Sequence, residues 1–421
     1  MQQRDDAPDP PSLTHLRVTL SGLAAHLEEA RLVAAMLRPE RGMASLARCL
    51  RSASDTLAVA VGLVRSESSV MQHSAGAQIE AEMERRSLLK LVPALGVGAV
   101  APLDALSRMA TTSAKGGPAD AAVLGAAEDL TTTYAAAYDA SPAHLLAAPV
   151  AAHLRRVRGY LHAATSGSRQ RAAASVAQMA GFAGWLAFAA EDRAAAAAHF
   201  GLARDAAITA GDHVALASVL ASTSDLHSVT HAPLSGDSAR AVALIDQAND
   251  VLPDDAPAAI RSWLASRQAV EHAAVGNQHG FDHHIDRAWR HLDGPRSGGA
   301  GFFSDAGRFA TWDDDLVRGF EVSGLLLLDR PLEAENILDA MPTSTAKFSQ
   351  RQVTYLTRYA TARVGQGDIG GATLLATQAL GVARRVDYRL GISRLRGVAA
   401  ALAPHAARPD VAEFSRTLAV A

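Results

Sequence analysis

The sequence predicts an all-α fold in which pairs of helices repeat along the chain. Hydrophobic residues make up 49% of the 421 residues, but aromatic residues make up only 5%. The apolar content is therefore mostly Ala, Leu and Val, and Ala and Leu are strong helix formers. Long alternating runs of β-branched residues, which would indicate strands, do not occur in the sequence. The third observation is a stripe of small and apolar residues that returns at intervals.

The clearest unit is residues 184–211, which the pattern predicts to be two helices joined by a turn at residues 191–192. The second helix carries Ala196, Phe200 and Ala203 at i, i+4 and i+7, which is one face of an α-helix. Four later segments repeat this stripe: Ala241, Ile245 and Ala248; Phe281, Ile285 and Ala288; Ala334, Leu338 and Met341; Ala372, Ala376 and Ala379. A turn precedes each of them, at Gly236-Asp237, Gly276-Asn277, Asp329-Arg330 and Gly367-Asp368.

The spacing of the stripes indicates a helical repeat array. The stripes begin at positions 196, 241, 281, 334 and 372, so the steps are 45, 40, 53 and 38 residues. The pattern A-x3-F-x2-A after a turn is typical of the second helix of a tetratricopeptide repeat, although these steps exceed the ~34 residues of that repeat. Stacked units would bury a continuous core and leave a concave groove. We therefore predict a tetratricopeptide-like α-solenoid, with an unrelated Ala-rich helical bundle as the alternative.

The individual helices follow from apolar periodicity and from Pro, Gly and capping residues. The predicted helices are 124–138, 142–164, 168–190, 193–210, 213–231, 238–251, 258–275, 280–292, 316–328, 332–340, 348–365, 369–385, 388–402 and 411–418. Residues 293–311 form the largest break and account for the long step of 53 residues.

Composition divides the chain into four segments. Residues 1–11 are charged and proline-rich and are predicted to be disordered. Residues 12–65 have leucines at helical spacing on both sides of Pro39, and this predicts an N-terminal αα-hairpin. Residues 66–118 are predicted to be a linker that contains a helix with paired arginines, and residues 119–421 form the solenoid.

The N-terminal hairpin has two interpretations. Both predicted helices exceed twenty residues, which is long for a DNA-binding helix-turn-helix, and the net charge of −3 argues against strong sequence-independent binding of nucleic acid by the whole chain. A packing or dimerising hairpin is therefore favoured, and a homodimer is one option. The alternative is a DNA-binding hairpin, in which one helix face contacts DNA phosphates through Arg41, Arg48 and Arg51.

The segment that follows Met83 resembles a twin-arginine export signal, with Arg85-Arg86 before an apolar stretch. In this sequence the pair lies far from the N-terminus, and the stretch is too short and glycine-rich to span a bilayer. We expect an internal linker in a cytoplasmic protein without membrane association. The single cysteine, Cys49, excludes an intramolecular disulfide and a multi-cysteine metal site.

Repeat proteins bind their ligands on the concave face, which the first helix of each pair provides. The candidate groove residues are Arg155, Arg261, Arg267, Arg308, Trp312, Arg318, Tyr355 and Arg358. A wider set of polar or large residues on these helices adds Trp185, Asp225, His227, Trp263 and Tyr359. A line of arginines suits a carboxylate or a peptide C-terminus. The alternative is that the arginines are solvated and the aromatic residues belong to the core.

Two polar clusters are candidates for cation binding. His279, His283, His284, Asp286 and His291 have partial helical spacing for a metal site, but a structural zinc site needs four good ligands and no cysteine is near. We therefore expect solvent-facing histidines and no metal. The cluster 313–315 of three aspartates suits a cation or a basic peptide, but capping of the helix that begins there is favoured.

The sequence lacks the common nucleotide-binding, serine-hydrolase and zinc-protease motifs. We therefore expect a protein that is not an enzyme and that uses no cofactor. A groove that acts as a substrate cleft is the weakest alternative.

Residues 126–400, about two-thirds of the chain, resemble the tetratricopeptide-like portion of large actinobacterial regulators, most of which carry a Cro/repressor-type helix-turn-helix at the N-terminus. The matching stretches are LTTTYAAAYDASPAHLLAAPVAAHLRRVRGYL, AGFAGWLAFAAEDRAAAAAHFGLARDAA and FFSDAGRFATWDDDLVRGFEVSGLLLLDRPLEAENIL, together with the internal RR-x-L-L segment at Arg85-Arg86. The resemblance implies control of transcription or development through a ligand, peptide or protein bound in the solenoid. Residues 1–82 show no recognisable helix-turn-helix, so a DNA-binding regulator with a divergent hairpin is the alternative.

Overall fold

The computed structural model describes Met109, Thr112 and residues 118–138, 143–231, 236–294, 301–304, 307–309, 312–341 and 349–421. Within these residues the chain forms α-helices joined by turns, and no β-strand occurs among them. The all-α prediction is confirmed for this part of the chain. The predicted hairpin at 12–65, the segment after Met83 and Cys49 lie outside the described residues, and with them the arginines of the DNA-binding alternative.

The helices are, in chain order, α1 (Ala121–Ala137), α2 (Ala143–Ala163), α3 (Arg169–Ala189), α4 (Arg193–Ala210), α5 (His213–Ser224), α6 (Ser238–Val251), α7 (Ala258–Ala274), α8 (Gln278–Leu292), α9 (Asp314–Leu327), α10 (Pro331–Ala340), α11 (Gln350–Gly365), α12 (Ile369–Arg385), α13 (Arg389–Leu402) and α14 (Pro409–Ala419). A short 3₁₀ helix, Ala403–His405, lies between the last two. Most of these bounds match the predicted helices to within two residues, because capping residues and turns set them locally.

Recurrent turns show how the sequence separates the helices of each pair. The residue before the cap has a positive φ at Glu191, Gly276 and Gly367, with values of 65°, 74° and 78°. The residue that follows each of these is an Asp or Asn that caps the next helix, as when Asp192 accepts a hydrogen bond from the backbone N–H of Ala195 at 2.9 Å. A left-handed residue ends one helix and a side-chain cap begins the next.

The main difference from the predicted helices concerns α5, which ends at Ser224 and not at residue 231. Near this end three hydroxyls donate hydrogen bonds to backbone carbonyls one turn earlier, including Ser222 to Ser218 at 2.8 Å. Such side chains compete with the helical hydrogen bonds of the backbone. Residues 225–231 therefore form turns. Asp225 and His231 thus lie outside the helix that the sequence predicted.

The stripes predicted from the sequence are buried. Phe281 and Ile285 are 2% and 6% exposed, and they and Ala288 are the buried residues of α8. The corresponding residues of α4, α6 and α12 are also buried, while Met341 at the end of α10 is half-buried. Glycines on a neighbouring helix make room for the rings, because Phe200 lies against Gly184 of α3 and Phe281 lies against Gly324 of α9.

Adjacent helices pack in pairs, and the first helices of successive pairs also contact each other. We call α3, α5, α7, α9, α11 and α13 the inner helices, because each of them contacts the next one in this series. The last of them, α13, also contacts α3. Accordingly, one apolar cluster contains residues of α1 to α5 together with residues of α11 to α14.

Polar contacts join the same two ends. Arg396 of α13 lies 3.5 Å from Glu191, and His144 of α2 lies 2.8 Å from Asp387. The first and the last of the inner helices are therefore in contact. The polar groups on the facing sides of the inner helices lie in an interior and not along an open edge.

Among the described residues, α3 is the one helix that is long and apolar enough to cross a membrane by length and composition. Within its most apolar window 78% of the residues are buried inside the protein. The apolar side chains of α3 are therefore used for packing against neighbouring helices.

We predict opposite effects for two Gly-to-Ala substitutions in one helix pair. In Gly184→Ala the new Cβ would lie 2.5 Å from the ring of Phe200, which is 1% exposed, so the free energy of unfolding should fall by about 1–3 kcal/mol. In Gly201→Ala the new Cβ meets nothing within 4 Å, and because it lies inside a helix the same quantity should rise by about 0.5–1 kcal/mol. Urea denaturation of both variants measures this, and equal effects would contradict the packing described here.

Candidate functional site

The interior contains a buried network of charged side chains centred on Asp225. This residue follows the last residue of α5, and its side chain is 3% exposed. Its carboxylate lies 2.8 Å from the guanidinium of Arg267 on α7 and 3.1 Å from Nε2 of His231. Burial alone would raise the pKa of Asp225, but Arg267, His231 and Arg308 together lower it to about 2. Asp225 is therefore an anion at neutral pH.

Arg267 also contacts a second acid on its own helix. Its guanidinium lies 2.8 Å from the carboxylate of Glu271, one turn further along α7, and donates to the hydroxyl of Ser224 at 3.0 Å. Glu271 is fully buried, and burial, only partly offset by Arg267, raises the pKa of its carboxyl group. Arg267 thus has two acidic partners and needs no further counter-charge.

His231 links this network to the last inner helix. Its Nδ1 lies 2.9 Å from the guanidinium of Arg394 on α13, and its Nε2 faces Asp225. A guanidinium can only donate, so Nδ1 accepts from Arg394 and Nε2–H donates to Asp225. Burial, together with the charge of Arg394, lowers the pKa of His231 to about 4. His231 is therefore neutral at pH 7.

Arg358 on α11 is the neighbour of Arg394 in this interior. Arg394 donates to the hydroxyl of Thr354 at 3.2 Å, and Thr354 lies one turn before Arg358 on the same helix. Arg358 itself donates from Nε to the hydroxyl of Ser323 on α9 at 2.9 Å. Loss of hydration, together with the charge of Arg394, lowers the pKa of Arg358 to about 9. Both side chains are half-buried, and Arg358 remains charged at neutral pH.

Residues 301–304 and 307–309 form a second feature, which we call the inserted segment. The backbone N–H of Gly301 donates to the hydroxyl of Thr132 on α1, and that of Phe303 donates to the side-chain carbonyl of Gln178 on α3, both at 2.7 Å. Phe302 stacks on Phe182 of α3 with ring centroids 4.6 Å apart. The inserted segment, which is the described part of the break in the repeat pattern, therefore packs against α1 and α3.

Arg308 anchors the other end of the inserted segment. Its guanidinium lies 4.0 Å from the ring centroid of Trp185 on α3 and 4.9 Å from that of Trp263 on α7. It also donates to the hydroxyl of Ser222 on α5 at 3.2 Å. Cation–π contacts of this kind are strongest where the groups are desolvated. The segment thus contacts three successive inner helices.

The predicted groove residues divide into two groups. The structure brings Arg267, Arg308 and Arg358 to the interior, together with Asp225 and Trp185 of the wider set. Trp312 is 5% exposed, and its indole N–H donates to Ser262 at 3.0 Å, so it is a packed residue that helps to hold the segment.

The remaining candidates lie elsewhere. Arg155 on α2 is exposed, and Arg261 donates to the backbone carbonyl of Asp254 at 3.1 Å. Arg318 pairs with Asp314 at 2.9 Å on its own helix. The hydroxyl of Tyr355 donates to the carbonyl of Leu338 at 3.0 Å. The contacts of Arg261, Arg318 and Tyr355 are with different groups, and the structure does not bring these residues together.

Sequence reasoning missed Arg394 and His231. Arg394 lies on the predicted helix 388–402, from which we took no candidate residue, and His231 lies where we predicted a helix. A signal was present for Arg394, because α13 follows the last stripe helix and so occupies the place of a first helix.

The structure gives the contacts of the two candidate cation clusters. Asp313 caps α9 by accepting from the backbone N–H of Leu316 at 3.0 Å, which confirms the favoured capping interpretation. His279, His283 and Asp286 are exposed, and His284 stacks on His272 with ring centroids 4.9 Å apart. Within the described residues, no group of three His, Cys, Asp or Glu side chains has the arrangement of a metal site.

A scan of the sequence against models of protein families finds no match. A search among curated proteins also finds no match.

The Asp225 network predicts a specific pH dependence of stability. The pKa of His231 is about 4 in the folded protein and about 6.5 in an unfolded chain, so the unfolded state binds more protons between these values. Stability should therefore fall as the pH is lowered from 6.5 to 4, by on the order of 1 kcal/mol per pH unit for this group. Thermal denaturation of His231→Asn at several pH values should show a smaller slope of stability against pH. The reduction should correspond to the uptake of about one proton fewer on unfolding.

The exposed His279 supplies the control, because His279→Asn should leave the slope unchanged. Equal slopes in wild type and His231→Asn would contradict a buried neutral His231. Protonation of Asp225 contributes only at lower pH, because its folded pKa of about 2 lies below its unfolded value.

Proposed function

We propose that this protein is a non-enzymatic, cytoplasmic regulatory protein that binds a peptide or protein partner on the surface of its inner helices. In this proposal residues 119–421 are a tetratricopeptide-like α-solenoid, since their helix pairs follow the repeated stripe and turn pattern. The role in transcription or development rests on the resemblance to regulators of that architecture.

The packing of the inserted segment on the helices is the observation that supports peptide binding. It is a non-helical stretch of chain that α1 and the inner helices hold through the kinds of contact found in peptide complexes. Side-chain acceptors bind two of its backbone N–H groups, an aromatic side chain stacks on Phe182, and Arg308 lies against two tryptophans. Main-chain hydrogen bonds contribute affinity and side-chain pockets contribute specificity.

The shape of the helix surface also fits a bound chain. Gly181 of α3 leaves room for Phe303, because a Cβ at this position would lie 2.4 Å from the ring. Gln178, one turn earlier, accepts the N–H of the same residue. A partner with aromatic and basic residues could use these positions, in which case it would compete with the inserted segment.

A synthetic peptide of residues 299–311 tests whether the inner surface accepts such a chain in trans. We expect saturable binding to the full-length variant Phe302→Ala/Phe303→Ala/Arg308→Ala, in which the segment has lost its side-chain anchors, and little binding to wild type, where the segment occupies the site. The peptide should also raise the melting temperature of the variant, since a ligand of the folded state stabilises it. The control peptide carries Ser at both phenylalanines and Gln at the arginine. Equal binding of the two peptides would contradict the proposal.

A second experiment addresses the partner. A protein partner captured from native lysate by wild type should be lost or weakened by at least about tenfold with Trp185→Ala, because tryptophans in binding sites contribute strongly to affinity. Trp289→Ala is the matched control, since Trp289 is also half-buried but lies on α8, outside the inner helices. Melting temperatures establish that both variants are folded. Equal capture of the partner by the two variants would mean that the partner does not bind at Trp185.

A further inference from the structure

We propose that Arg358 and Arg394 form a binding site for a phosphate group, either inorganic phosphate or the phosphate of a small phosphomonoester. The site lies between α11 and α13, and the proposal is independent of peptide binding. It follows from the contacts of the two guanidinium groups and from the hydroxyl groups around them.

Arg358 and Arg394 have no acidic partner in the described part of the chain. Among the described residues, no carboxylate lies within ion-pair distance of Arg358 or Arg394. The acids of the interior are committed elsewhere, since Asp225 pairs with Arg267 and His231, and Glu271 pairs with Arg267. Half-buried charges of like sign destabilise each other when no opposite charge is present.

Hydrogen bonds to neutral groups orient the two arginines. Arg358 donates to Ser323 through Nε alone, and its guanidinium lies over Gly319, where a Cβ would be 2.5 Å from one of the terminal nitrogens. Within the part of the chain that the structure describes, the terminal N–H groups of Arg358 make no hydrogen bond. Arg394 is oriented by Thr354, by the hydroxyl of Tyr388 at 3.3 Å and by His231.

The charge of the two guanidiniums and of the groups around them indicates the chemistry of the ligand. Among the described residues, the groups that hydrogen-bond to the two guanidiniums are the hydroxyls of Ser323, Thr354 and Tyr388 and the neutral imidazole of His231, and none of these carries a negative charge. Arginine recognises phosphate through parallel N–H···O bonds. A doubly charged tetrahedral oxyanion would neutralise both guanidiniums, whereas one carboxylate would neutralise only one. A phosphate group therefore fits the site better than a single carboxylate.

Calorimetry with full-length protein at constant ionic strength tests this, because screening by added salt could otherwise imitate a specific effect. The probes are inorganic phosphate, glycerol 3-phosphate and acetate. We expect saturable binding of one or both phosphates and much weaker binding of acetate. Arg358→Gln should weaken phosphate binding by about tenfold to hundredfold, as expected for the loss of a charge-assisted contact.

Arg389→Gln is the matched control, since it removes the same charge from an exposed position on α13 and should leave binding unchanged. Melting temperatures give a second measurement: phosphate should raise that of wild type and of Arg389→Gln, but not that of Arg358→Gln. Without phosphate, Arg358→Gln should melt at the same temperature as wild type or higher, because it removes a repulsion.

The outcomes are distinct. Tighter binding of glycerol 3-phosphate than of inorganic phosphate would identify an esterified ligand, and the reverse order would identify the free anion. The proposal would be overturned by absence of binding for both phosphates, by equal losses in Arg358→Gln and Arg389→Gln, or by acetate binding as well as phosphate.

Discussion

The buried carboxylate of Asp225 connects parts of the chain that are far apart in sequence. It pairs with Arg267 at 2.8 Å and with His231 at 3.1 Å, and His231 in turn accepts a hydrogen bond from Arg394, 163 residues later. Removal of one member of such a buried pair typically costs about 3–5 kcal/mol, because the partner is left with an uncompensated charge. The position of α13 next to the turn after α5 thus depends on this network as well as on apolar packing.

The helix pairs bring these polar groups together. Small residues at Gly184 and Gly324 let the aromatic residues of the second helices pack closely, and the first helices are then in contact with one another. Because α13 also contacts α3, the polar residues of the first helices face an interior. The same arrangement gives the inserted segment its aromatic contacts and leaves Arg358 and Arg394 without carboxylates among the described residues. The two proposed binding regions thus lie on different parts of one helical surface.

Much of the local structure could be predicted because local chemistry sets it. The stripe on α8 and the cap at Asp192 depend on residues within one or two turns, and both occur where the sequence indicates them. Part of the candidate site was also predictable, because Arg267 and Arg358 follow from their places on first helices. Arg318 does not join them, because the acids on its own helix are closer. Arg394 and His231 were missed because their importance depends on a contact between the two ends of the series.

The sequence by itself therefore determined the helices, their buried faces and the turns that separate them, since each of these depends on periodicity and on short-range capping. Only the tertiary structure decided which charged groups form ion pairs and which have no carboxylate partner among the described residues. It also decided that the break around residues 301–309 packs onto the inner helices. The physical reason is that such contacts depend on distances between segments more than a hundred residues apart, and helical periodicity carries no information about these distances.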